Sequence, residues 1–367
     1  MHIQFNLRKT ARPARRVFLA LWLALLFVPG QTASAQDPSM VPQILYQRGS
    51  MGFFRFDGRE WTRFDVQVED PVVVTQISSD VFIVVEGFIN EREEVDVRDH
   101  ELNVSTGVLS EPPQGLGVIR FLNNGHTLRG KDVGPGQYVM EYDGPRRLRV
   151  VQPYRAGFKN YMYLPDGAYH FEFQPEEVGQ DGPTLLFYSD GRSAPRQLVA
   201  KEWLFYPRFV NSGSHIVYLH RTSQDDENGG VFDVEAVEVR TGQARVVGTF
   251  RVPAMSNVTE ALFFTAENSP YVAIDDHEQI RIIDVTSGTA VGSIRSGGRW
   301  MIVPALNEAG PGYSLGSLLL LENQTQGLLR GYRLPSTRPV FEIALPGGPQ
   351  EENWATRAVD LRTAPAR

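Results

Sequence analysis

Four short acidic runs hold the most concentrated chemistry in this sequence: Glu91-Arg92-Glu93-Glu94, Glu176-Glu177 with Asp181, Asp225-Asp226-Glu227, and Asp275-Asp276-His277. Carboxylates gathered in this way attract a cation, a basic protein segment or a polyamine. They also serve the plainer purpose of keeping exposed loops soluble. The stretch Asp225-Asp226-Glu227-Asn228-Gly229-Gly230 offers oxygens and glycines of the kind a hard cation wants, but not the alternating Asp-x-Asp-x-Asp-Gly spacing. No metal and no cofactor is therefore expected, and the acidic runs are read as a face that binds a partner.

The remaining reactive residues are scattered. His215 and His220 are five apart on one strand-like run, so they face opposite sides and cannot chelate one ion together. His100, His126, His170 and His277 come from separate segments, and nothing in their spacing gathers them. Arg120 and Arg208 fall at matching positions of two repeats, where they line a channel or form packed salt bridges. There is no G-x-S-x-G elbow, no H-E-x-x-H helix and no glycine loop to cradle phosphate. Cysteine is absent altogether, which removes disulfides, thiolate metal sites and cysteine nucleophiles together. Trp61, Trp203, Trp300 and Trp354 recur at no common position and read as packing aromatics.

The elements that must carry these residues are strands. Long amphipathic helical patterns are missing, and short runs rich in Val, Ile, Phe, Tyr and Leu are punctuated by Gly, Asp, Asn and Pro. Small-residue corners recur at Asp57-Gly58, Thr106-Gly107, Asp143-Gly144, Asp190-Gly191, Thr241-Gly242 and Ser287-Gly288, with glycines 49, 37, 47, 51 and 46 positions apart. A seventh corner at Pro335-Ser336 continues the beat. A second series lies one hairpin earlier: Ser78-Ser79-Asp80, Asn123-Asn124-Gly125, Pro165-Asp166-Gly167, Asn211-Ser212-Gly213, Glu267-Asn268-Ser269 and Asn307-Glu308. A period of this length with four strands per unit predicts an all-β, seven-bladed β-propeller of four-stranded antiparallel blades over residues 36–367. The first unit lacks its inner strand, and the run Trp354–Leu361 is expected to supply it, since an unclosed ring leaves unpaired edges. On this register the four acidic runs all join second to third strands and emerge on one face.

Tyr163-Leu164-Pro165-Asp166-Gly167-Ala168-Tyr169 resembles the aromatic-x-Pro-Asp-Gly corner of TolB-type propeller repeats. The stretch Val272–Arg295 is similar to the YVTN-type repeats of bacterial surface and lactonase-like propellers. Both resemblances describe fold; the second implies, by analogy alone, a metal-dependent lactonase with a site in the axial channel.

Residues 1–35 read as a cleaved export signal: Arg8, Lys9, Arg12, Arg15 and Arg16, then an apolar run from Val17 to Val28, then Ala33-Ser34-Ala35. Arg15-Arg16 resembles a twin-arginine signal, while the leucine-rich core suits the general secretory route. Removing the segment leaves 31 basic against 43 acidic side chains, a balance of −12. That excludes nucleic acid and anionic membrane surfaces as expected partners. No second long apolar run follows, so no integral span is expected in the mature chain. The expectation from sequence is a periplasmic or secreted, non-catalytic propeller that scaffolds a protein partner through its acidic face, the alternative being the lactonase-like hydrolase.

Overall fold

The computed structural model describes residues 43–360, apart from 49–51, 65–70, 77–79, 90–94, 112–118, 122–126, 135–136, 143–148, 154–157, 165–167, 174–181, 226–228, 253–262, 266–267, 298, 304–316 and 350–355. The export segment at 1–35 lies outside the described residues. Every regular element among them is a strand, and no helix there is long and apolar enough to cross a membrane.

Sheet 1 contains β1 (Ile44–Arg48), β2 (Phe53–Phe56) and β3 (Trp61–Arg63). Sheet 2 is β4 (Pro71–Gln76), β5 (Val81–Ile89), β6 (Val95–Asn103) and β7 (Val108–Ser110). Sheet 3 is β8 (Ile119–Phe121), β9 (Thr127–Gly134), β10 (Gln137–Tyr142) and β11 (Arg149–Pro153). Sheet 4 is β12 (Phe158–Tyr163), β13 (Tyr169–Phe173), β14 (Thr184–Ser189) and β15 (Arg196–Lys201). Sheet 5 is β16 (Leu204–Val210), β17 (His215–Asp225), β18 (Gly229–Glu238) and β19 (Ala244–Val252). Sheet 6 is β20 (Phe263–Thr265), β21 (Tyr271–Asp275), β22 (Gln279–Asp284) and β23 (Thr289–Arg295). Sheet 7 is β24 (Met301–Ile302), β25 (Leu318–Asn323), β26 (Leu328–Arg333) and β27 (Phe341–Ala344). All seven are antiparallel four-stranded meanders, and β28 (Thr356–Asp360) completes sheet 1 by pairing with β1, from Ile44 opposite Asp360 to Arg48 opposite Thr356.

The small-residue corners do what their composition predicts. Gly58, Gly107, Gly191, Gly242 and Gly288 each turn a third strand into a fourth with φ between +70° and +101°, a region closed to most side chains by the clash of Cβ with the backbone. Local side-chain bonds reinforce these turns: Asp57 Oδ1 accepts the amides of Arg59 and Glu60, and Asp190 Oδ1 those of Arg192 and Ser193. Burial drives the sheets together. Strand β1 is buried at every position because both of its faces are covered. Ile44 and Tyr46 enter a core shared with sheets 6 and 7, whereas Leu45 joins Phe53, Phe82 and Leu102 in a core shared with sheet 2. Two more cores join sheet 5 to its neighbours, one through Leu186, Val199 and Tyr218, the other through Val217, Phe232 and Ile274. Each large apolar side chain sealed in this way contributes about 1.5–3 kcal/mol. Fourth strands are wetter, and Val108, Val246 and Val291 on them are exposed.

Candidate functional site

A buried polar centre lies on sheet 5, on the face turned toward sheet 4. Register creates it: Tyr218 stands opposite Glu235 and His220 opposite Asp233 on β17 and β18, so all four side chains share one face. Glu235, at 4% exposure, is its hub. Its Oε1 accepts from Lys201 Nζ at 3.1 Å and from His220 Nδ1 at 2.9 Å, and its Oε2 accepts from the Tyr218 hydroxyl at 2.7 Å. Lys201 arrives from β15 of sheet 4, so the bond ties two sheets. Asp233 Oδ1 accepts from Thr249 Oγ1 at 2.6 Å. One donor atom each from His220, Asp233 and Glu235 lies within 4.8 Å of the others, a spacing that lets them hold one metal ion.

The electrostatics follow from these contacts. Burial pushes the Glu235 carboxyl upward, but the Tyr218 and Lys201 bonds outweigh it and hold the pKa below the usual value. The Tyr218 phenol is pushed strongly upward by burial and then by its bond to the Glu235 carboxylate, so it remains a donor. Nδ1 of His220 faces Glu235, which leaves Nε2 as the ring nitrogen available to a metal ion. On the opposite face, the guanidinium of Arg221 lies 5.0 Å from the Trp203 ring and 5.9 Å from that of Phe232.

The sequence-chosen residues fare differently. All four acidic runs do join second to third strands. Glu91, Glu93, Glu94, Glu176, Glu177, Asp181, Asp226 and Glu227 lie outside the described residues, and Asp225 ends β17. Asp275, Asp276 and His277 form one tight corner: Asp276 pairs with Arg281 at 3.2 Å, and His277 has φ +70°. Asp275 is buried, with Oδ1 accepting the His277 amide at 2.8 Å. Burial raises its pKa to about 6 against the lowering effect of that bond.

Because this folded value exceeds the ordinary 3.8, the native state keeps the Asp275 proton where the unfolded chain has lost it. The group therefore favours folding fully below the ordinary value and loses that contribution as pH rises through about 6. Asp275→Asn is expected to flatten that slope and to raise stability at pH 7–8 by roughly 2 kcal/mol. Urea titrations of both proteins between pH 4 and 8 check this, and an unchanged slope contradicts it.

His215 and His220 do point to opposite faces, the former bonding Ser214 and the latter Glu235. His170 is wholly buried against Phe209, with ring centroids 4.6 Å apart, and burial followed by the charge of Arg208 lowers its pKa to about 3. It is a neutral core side chain. Trp61 donates from its indole to the Ala344 carbonyl across sheets 1 and 7, and Trp300 lies under Arg330 at 4.1 Å, so these tryptophans are packing groups. Spacing overlooked the His220–Asp233–Glu235 trio because its members meet only through strand pairing. The one signal available was the run Asp233-Val234-Glu235, whose alternation sets two carboxylates on one face.

No family model matches this chain, and no curated protein matches it. Solved structures do resemble it. A putative 6-phosphogluconolactonase from Bacteroides fragilis is 14% identical, with 89% of this chain and 99% of that chain covered and a TM-score of 0.47. For the periplasmic gluconolactonase of Pseudomonas aeruginosa the values are 15%, 87%, 99% and 0.45. For apo AztD from Citrobacter koseri they are 11%, 87%, 98% and 0.41. Likeness at this level transfers no activity. The expectation of a non-catalytic scaffold is corrected at the site itself: the described residues bring His220, Asp233 and Glu235 together within 4.8 Å, a group able to hold a metal ion that sequence reading missed.

Proposed function

We propose that this chain is a hydrolase of lactones or related esters, built on a seven-bladed propeller with its chemistry at the His220–Glu235 centre. The observation that carries the proposal is the convergence of His220, Asp233 and Glu235 donor atoms within 4.8 Å, beside a lysine and a tyrosine hydroxyl. Seven four-stranded sheets and the pairing of β28 with β1 support the ring. The basic, apolar and A-x-A segments of residues 1–35 support export to the periplasm or beyond.

The donor set suits a divalent cation, since imidazole and carboxylate oxygens together match first-row transition metals. His220, Asp233 and Glu235 would hold it, with Lys201 yielding its place on Glu235. Bound there, the ion would lower the pKa of a water molecule and polarise a carbonyl. The chain supplies the rest. Through its bond to Nδ1–H, Glu235 orients the His220 ring and leaves Nε2 as the ligand atom, and the Tyr218 hydroxyl fixes the Glu235 carboxylate. The Lys201 ammonium stabilises negative charge developing on the carbonyl oxygen. This centre lies on second and third strands, between sheets, and not on the inner strands that would border an axial channel.

The test is hydrolysis of aldonolactones and simple esters by chelator-treated protein, with manganese, calcium or zinc added back. Metal-stimulated turnover is expected, and His220→Ala should lower kcat/KM by about a hundredfold or more with the fold retained by circular dichroism. Lack of turnover above the uncatalysed rate with any metal, or an undiminished His220→Ala, overturns the proposal.

A further inference from the structure

Arg48, at the end of β1, is completely buried. Its Nη1 donates to two backbone carbonyls, of Pro346 and of Gly348, the latter at 3.0 Å. Its Nε and Nη2 have no hydrogen-bond partner among the described residues, and none of the ion pairs there includes it. These two nitrogens share one edge of the planar guanidinium, and their N–H groups point the same way. That edge grips two oxygens of a carboxylate or phosphate side-on. Carbonyl oxygens satisfy the opposite end but do not neutralise a full positive charge, and an uncompensated buried charge is strongly destabilising. The buried carboxylate of Glu322 is bonded to Tyr46 and Gln324.

We propose that the Nε–Nη2 edge of Arg48 binds a compact oxyanion, the carboxylate or phosphate group of a small molecule. The site sits at the junction of the chain's two ends. Arg48 is on β1, its strand partner is Thr356 of β28, and its carbonyl partners follow β27, 298 and 300 residues away. An anion here therefore acts on the junction as well as on Arg48, and its binding reads out as resistance to unfolding. It is independent of the His220 centre.

The experiment is refolding of the whole protein from urea into phosphate, acetate or chloride at equal ionic strength, so that burial of the edge does not bar entry. Unfolding midpoints and calorimetric titration are then measured. Wild-type protein should show a saturable rise in midpoint with phosphate, acetate or both, over chloride, and whichever acts names the oxyanion. Arg48→Met should lose that response, and Arg48→Lys, which keeps the charge but not the fork, should bind at least tenfold more weakly. Equal midpoints in all three anions for the wild type overturn the proposal, as does a full response in Arg48→Met. If Arg48→Met does not fold, the wild-type titration and Arg48→Lys decide.

Discussion

Ending the chain at residue 355 should cost this protein most of its stability. The truncation removes β28, breaks five residue pairings with β1, and uncovers the edge of a strand whose five residues are all buried. Ala358, wholly buried, leaves the same core as Ile44 and Tyr46. Backbone hydrogen bonds at about 1 kcal/mol each, with the uncovered apolar surface, put the loss at roughly 5 kcal/mol or more. In a chain this large that is a fall of roughly seven degrees or more in the thermal midpoint. The exposed edge should also make the truncated protein aggregate. A synthetic peptide covering residues 354–362, added in trans, should restore the midpoint in part. A truncated protein that unfolds at the same temperature as the full chain would refute the role given to β28.

Glu235→Ala carries the second large effect. The substitution leaves the buried Tyr218 hydroxyl without its acceptor and strands the His220 ring and the Lys201 ammonium beside it. Breaking a buried, hydrogen-bonded charge network by removing one member costs about 3–5 kcal/mol. Lys201 is 36% exposed and recovers part of its solvation, so the lower end of that range is expected. The companion variant, Glu235→Leu with Tyr218→Phe and Lys201→Met, replaces the network by apolar groups of similar volume and should recover most of the stability while abolishing the proposed hydrolysis. Urea unfolding measures both. A cost below about 1 kcal/mol for Glu235→Ala would mean that the network does not hold sheets 4 and 5 together.

The two experiments probe different kinds of information. The missing strand was legible because a repeat that begins at its second member declares what it lacks, and the run Trp354–Leu361 near the other end of the chain has the right length. The corners were legible for a local reason. A turn needing φ above zero selects glycine, so Gly58, Gly107, Gly191, Gly242 and Gly288 mark third-to-fourth strand turns whatever lies around them. The opposed faces of His215 and His220 followed from the two-residue period of a strand.

Neighbours along the chain set the strands, the corners, their beat, and which loops carry charge. Tertiary structure alone decided which side chains meet. His220 finds Asp233 and Glu235 through the register of β17 on β18, and a shift of one residue would send it to the other face. Lys201 reaches them from another sheet, and Arg48 finds its carbonyls some three hundred residues away. Asp275 looked like rim charge and is buried, because its fate depends on what packs over the corner and not on the corner's own residues. Turn preference is a short-range energy that a few residues carry with them. Pairing register and the packing of sheet on sheet sum over many distant contacts, and no short run of sequence contains that sum.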